Sequence, residues 1–89
     1  MLIRETIIQK VCSAVRKTNN YEMELKEEHI FVYELGFDSL RMASLSIALE
    51  EEFDCSILLN DWIGSSDNPA SLTIGSLSDY ILEILYAEV

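Results

Sequence analysis

Five apolar residues near the end of the chain, Leu77, Tyr80, Ile81, Ile84 and Leu85, fall at i, i+3, i+4, i+7 and i+8. At about 100° per residue they line one helical face, so this stretch predicts a helix that has to bury that face against other elements. Ser76 and Asp79 stand at its start in capping-box-like spacing. Two further segments supply the opposing surfaces. From Leu2 to Lys17, residues Ile3, Ile7, Val11 and Val15 recur four apart and drift slowly around a first helix. From Ser39 to Phe53, Met42, Leu45, Leu49 and Phe53 form a second buried stripe. No alternating pattern extends beyond a few residues and there is no internal repeat, so the class is all-α.

The connections carry as much information as the helices. Thr18, Asn19 and Asn20 end the first periodic run, and a long segment follows to Gly36. Leu25, Ile30, Phe31, Val32 and Leu35 within it are too apolar to be solvated, so it is expected to fold back over the core, because a loop of that length needs anchors. Further on, Asn60 is expected to cap a short turn through Asp61, Trp62 and Ile63, and Gly64 to Pro69 reads as a mobile loop.

The Ser39–Phe53 helix has a second face, almost opposite the stripe, made of Leu40, Ala43, Ser44, Ile47 and Glu51. A purely solvated face would be polar throughout, so this one is either a docking surface or a strip tucked under a neighbouring loop. On its own, the pattern favours the tuck.

Eighty-nine residues suffice for a single domain, here residues 1–89, with one modest core. Apolar residues make up 49% of the chain in spaced sets, the pattern of a globular protein. No apolar run approaches the roughly 18 residues of a membrane span, and Met1-Leu2-Ile3-Arg4-Glu5 is not a signal-peptide start. The expectation is a cytoplasmic monomer with no membrane insertion, free-standing because it opens on Met1. Cys12 and Cys55 read as reduced structural thiols. Sixteen acidic against six basic residues give a formal charge of −10, which excludes nucleic-acid phosphates as partners. Composition alone leaves open whether that charge serves only solubility or attracts basic partners.

Catalytic constellations are missing. His29, the one histidine, has no Cys or His neighbour at metal-ligand spacing, so no zinc site is expected. Phe37-Asp38-Ser39-Leu40-Arg41 lacks the glycines of a nucleophile elbow, and no Gly-rich phosphate loop or calcium loop occurs. The chain reads as a non-enzyme. One short run, Glu34-Leu35-Gly36-Phe37-Asp38-Ser39-Leu40, passes from a Gly turn straight into the second helix. A helix start presents unpaired N–H groups and the positive end of the macrodipole, which suit a phosphate. Read without further context, Asp38 and Ser39 are ordinary caps.

The run Leu35-Gly36-Phe37-Asp38-Ser39-Leu40, continued by Ala48-Leu49-Glu50-Glu51-Glu52-Phe53, resembles the attachment motif of acyl carrier proteins. Phe31-Val32, Ile57 and Asp79-Tyr80-Ile81 extend the likeness over most of the chain. The resemblance implies a small four-helix bundle of acyl-carrier type, with three main helices and a short one between the second and last. It implies that Ser39, supported by Asp38 and Leu40, receives a covalent 4'-phosphopantetheine arm from coenzyme A through a phosphopantetheinyl transferase, and holds acyl groups as thioesters. Docking on acyl-loading and acyl-processing enzymes with basic patches is then expected through Leu40, Arg41, Ser44, Ile47, Glu50 and Glu51, with Glu52 adding to the steering field. Arg41 and Ser44 depart from the pattern of fatty-acid carriers, Phe37 resembles polyketide carriers, and Leu58 replaces the family's proline. Arg41 and Ser44 point away from the housekeeping synthase, Leu58 to a different shape of the segment after it, and the pathway expected is a fatty-acid-like, polyketide or other specialised one. An aminoacyl or peptidyl carrier loaded by an adenylating enzyme is the alternative, and a helical interaction module without prosthetic group is the second.

Overall fold

The computed structural model describes residues 3–86. Its helices are α1 (Arg4–Thr18), α2 (Ser39–Phe53), α3 (Leu59–Gly64) and α4 (Ile74–Tyr86), with one 3-10 turn at Pro69–Ser71. The three long helices and the short one between α2 and α4 form the expected all-helical bundle. No strand occurs among the described residues, only an isolated antiparallel bridge between Ile30 and Thr73. The Cα radius of gyration is 12.0 Å, the value of about 12 Å expected of a folded chain this size.

Helix α1 packs on both α2 and α4. It buries Ile7, Val11, Cys12, Ala14 and Val15, while Ile3 is left exposed. A four-residue repeat advances about 40° per step, so its first member has turned off the core-facing line. Leu2, the expected first residue of this helix, lies outside the described residues. Arg16 and Lys17 occupy the last turn, where cations suit the negative end of the macrodipole. Helix α2 buries Met42, Leu45, Ala48 and Leu49, with Phe53 partly covered.

The long connection does fold over the core. Leu25, Phe31, Leu35 and Phe37 are buried, and Phe31 packs edge-on to both Phe37 and Trp62, with ring centroids 5.0 and 5.9 Å apart. Backbone bonds stitch it to the start of α4: the Phe31 N–H to Leu72 O (2.9 Å), the Ile74 N–H to His29 O (3.2 Å) and the Gly75 N–H to Glu27 O (2.9 Å). A Cβ at Gly75 would stand 3.2 Å from the Glu27 Cβ and 3.3 Å from its carbonyl, so a side chain here would push the connection back by a few tenths of an ångström. Val32 is exposed, contrary to expectation, because the turn over 31–34 sends only Phe31 inward.

Two capping assignments are corrected. Helix α3 begins at Leu59, and Asn60 lies inside it; burial of Leu59 and Trp62, three residues apart, sets the start without a side-chain cap. At α4 the reciprocal box joins Thr73 and Ser76: the Thr73 N–H donates to Ser76 Oγ and the Ser76 N–H to Thr73 Oγ1, each at 3.0 Å. Asp79 is not part of that box. It accepts from Arg4 at 2.6 Å, and Arg4 also pairs with Glu27 at 2.7 Å, so one guanidinium ties α1 to both α4 and the long connection.

Candidate functional site

The junction between the long connection and α2 is built from three local devices. Glu34 first closes the preceding turn, its N–H donating to Ile30 O and its carboxylate accepting from the Ile30 N–H, both at 2.9 Å. Gly36 then adopts φ +70°, a left-handed conformation that costs side-chain-bearing residues about 1–2 kcal/mol. This reversal lets Phe37 bury its ring against Phe31 while its N–H donates to Phe31 O at 2.9 Å. Asp38 then caps α2, its Oδ1 accepting from the Arg41 N–H at 2.9 Å.

Ser39 is thereby the first residue of a 15-residue helix and is exposed. Among the described residues no group hydrogen-bonds its hydroxyl. The adjacent Asp38 carboxylate is engaged by the Arg41 N–H as the helix cap. Two open grooves flank it. One, of about 560 Å³ between α2 and α3, is lined by Met42, Ala43, Ser46, Ile47, Leu58 and Asn60 among others. The other, of about 340 Å³, is lined by Val32, Phe37, Met42, Asn60, Ile63 and Leu72 besides Asp38 and Ser39. An exposed hydroxyl at a helix N-terminus, between two grooves, fits a phosphodiester-linked arm that has to leave the surface freely.

Leu40, Ala43, Ser44, Ile47 and Glu51 are all exposed, so the tucked alternative for this face does not hold: Leu40 is 76% and Ile47 61% accessible. Leu40 starts this exposed face one residue after Ser39. Arg41 and Glu50 are half-buried at its margins. Glu52 does not join it. Its carboxylate turns to α1, taking Lys17 Nζ at 3.0 Å and the Ser13 hydroxyl at 3.1 Å, and Lys17 foremost holds it below the usual carboxylate range. Glu52 is thus an internal staple and not a steering charge.

Leu58, 58% exposed, and Val32 also border the site and were missed in the sequence. Each directly follows a fully buried residue, Phe31 or Ile57, and faces outward, but both lie in non-helical connections where no periodic pattern marks a face in advance. The remaining isolated candidates have structural duties. His29 Nδ1 accepts from the Lys26 N–H at 2.9 Å, closing a turn. Cys12 and Cys55 are free thiols, both pushed up in pKa by burial. No described helix is long and apolar enough to cross a membrane.

Comparison with known proteins adds two findings. Residues 7–81 match the family model described as phosphopantetheine attachment site. A curated acyl carrier protein from Prochlorococcus marinus (strain MIT 9515) is 46% identical over 55 residues, spanning 61% of this chain and 69% of the relative. No solved structure matches significantly.

Proposed function

This chain belongs to the acyl carrier protein family, and from that premise we propose that Ser39 bears the arm and that the loaded chain moves acyl intermediates between enzymes of a fatty-acid-like, polyketide or other specialised pathway. Members of the family are carriers and not enzymes, and they hold 4'-phosphopantetheine covalently. The observation that carries the assignment is the Ser39 hydroxyl itself: exposed, without a hydrogen-bond partner among the described residues, at the first position of α2 and inside the matched segment.

In the attachment reaction the Ser39 oxygen displaces the nucleotide bisphosphate half of coenzyme A, forming a phosphodiester while its proton passes to a base of the transferase. Asp38 serves by holding the first turn of α2 so that the hydroxyl faces outward. The positive end of the helix favours the phosphodiester once formed. When attached, the arm supplies a terminal thiol that carries the cargo as a thioester. Leu40 and Ile47 supply the apolar contact with successive enzymes, and Glu50 and Glu51 draw basic patches toward it. Delivery then depends on the high effective concentration of a tethered group.

Incubation with coenzyme A and a broad-specificity phosphopantetheinyl transferase, read by intact mass and peptide mapping, tests the assignment. The arm is expected on the Ser39 peptide of the wild type and absent from Ser39→Ala. An unmodified wild type, or an arm on another residue, removes Ser39 from the proposal.

A further inference from the structure

We propose that Tyr21 is a positioning residue for the attachment reaction, its hydroxyl holding the backbone reversal that presents Ser39. The inference rests on Ser39 as the attachment residue. The Tyr21 hydroxyl donates to the Leu35 carbonyl at 2.6 Å, from a position 14 residues earlier in the chain. Leu35 is buried, and its carbonyl belongs to the peptide unit that leads into Gly36.

Gly36 is the point at which the path to Ser39 is least determined by its own residue. It stands at φ +70°, but glycine populates positive and negative φ about equally, so nothing in the residue selects this turn. Selection falls to the peptide units on either side. Each unit is planar, so fixing one of its polar atoms restricts the whole unit. The unit before Gly36 is held by Tyr21 at the Leu35 carbonyl, and the unit after it by the Phe37 N–H, which donates to Phe31 O at 2.9 Å. With both held, the glycine between them has little freedom left, and Asp38 and Ser39 follow in the order that caps and opens α2.

Among the described residues, Tyr21 is the one hydrogen-bond partner of residues 34–38 that comes from outside 30–42. The other bonds close within that stretch: Glu34 with Ile30, the Leu35 N–H with Ile30 O, the Phe37 N–H with Phe31 O, and Asp38 with the Arg41 and Met42 N–H groups. Tyr21 stands just past α1 and packs, partly buried, against the core. The last turn of α1 is closed on Val15 O by the Asn19 N–H (3.3 Å) and the Thr18 hydroxyl (2.7 Å). The Tyr21 hydroxyl therefore references the attachment turn to α1, whereas the local bonds would move with the turn as one unit. Replacing Tyr21 by Phe keeps the ring and removes only that reference.

The test is single-turnover loading by a broad-specificity phosphopantetheinyl transferase, with coenzyme A saturating and the transferase in excess over the carrier. The maximal rate then reports how well a docked carrier presents its hydroxyl, and the half-saturating transferase concentration reports docking. Tyr21→Phe is expected to lower the maximal rate about threefold or more, the scale of one lost hydrogen bond, with the half-saturating concentration within about twofold of wild type. Gly36→Ala is expected to lower the same rate, because a Cβ there meets open space and is penalised only by the left-handed backbone. Ile7→Val, a core change in α1, is expected to melt lower in circular dichroism and to keep the wild-type maximal rate, since partial unfolding removes competent carrier without altering the docked complex. A maximal rate in Tyr21→Phe less than about threefold below wild type overturns the proposal whatever the melting temperature, the hydroxyl then serving stability alone. An undiminished rate in Gly36→Ala overturns it as well, as does a slowed Ile7→Val, which would trace the loss to stability. A wild type that is not loaded at all is a separate failure, that of Ser39 as the attachment residue.

Discussion

At the scale of single residues, the presentation of Ser39 depends on Asp38. Its carboxylate is the side-chain cap of α2. Asp38→Ala is expected to cost about 0.5–2 kcal/mol in chemical denaturation, the usual loss for a helix cap. It is also expected to slow loading of Ser39 by fraying the turn that presents it, whereas Asp38→Asn, which keeps an acceptor, restores most of the stability. Loading unchanged in a folded Asp38→Ala protein would show that the cap does not orient the hydroxyl. The residue-level motif was legible in the sequence, because Gly36, Asp38 and Ser39 act through backbone geometry that local order dictates.

At the scale of elements, α2 and α4 differ in what decides them. The bounds of α2, Ser39 to Phe53, were legible from its stripe, and its cap immediately precedes it. The start of α4 was not, because Ser76 offered two pairings. The Ile30–Thr73 bridge and the bond from Ile74 to His29 hold residues 73–75 in place, and that brings Thr73 into the reciprocal box. Thr73→Ala is expected to cost about 0.5–2 kcal/mol, while Asp79→Ala leaves helix capping intact and affects only the exposed pair with Arg4, worth about 0–1 kcal/mol. Equilibrium denaturation of the two variants separates the assignments: equal losses, or a larger loss at Asp79, would restore Asp79 to the cap.

At the scale of the whole molecule, a chain of formal charge −10 places two of its six cations in ion pairs where helices meet. Arg4 joins α1 to α4, and Lys17 joins α1 to α2 through Glu52. Glu52 has its pKa lowered in the folded state, first by Lys17 and then by Ser13. Its contribution is therefore complete above the ordinary carboxylate pKa, near 4.3, and lost as pH falls through the lower folded value. Stability curves of wild type and Glu52→Gln are expected to keep a constant separation above about pH 5 and to converge below about pH 4. A separation that persists undiminished into strong acid would mean that Glu52 acts through packing and not through its charge. Loading of Ser39 is expected to be unaffected, since Glu52 faces α1.

What the sequence determined by itself was whatever depends on residues near one another along the chain: the helical periods, the glycine turn into α2, the position of Ser39 at a helix start and the family resemblance of that run. Tertiary structure decided the rest. Whether Leu40 and Ile47 were covered, whether Glu52 faced solvent, and which residues walled the space beside Ser39 all depended on elements distant in sequence. Helical spacing assigns a residue to a face but does not specify what lies against that face. Only the docking of α1 on α2 turned Glu52 inward, and only the placement of the long connection and α3 left the Leu40–Ile47 strip bare with a groove on either side of Ser39.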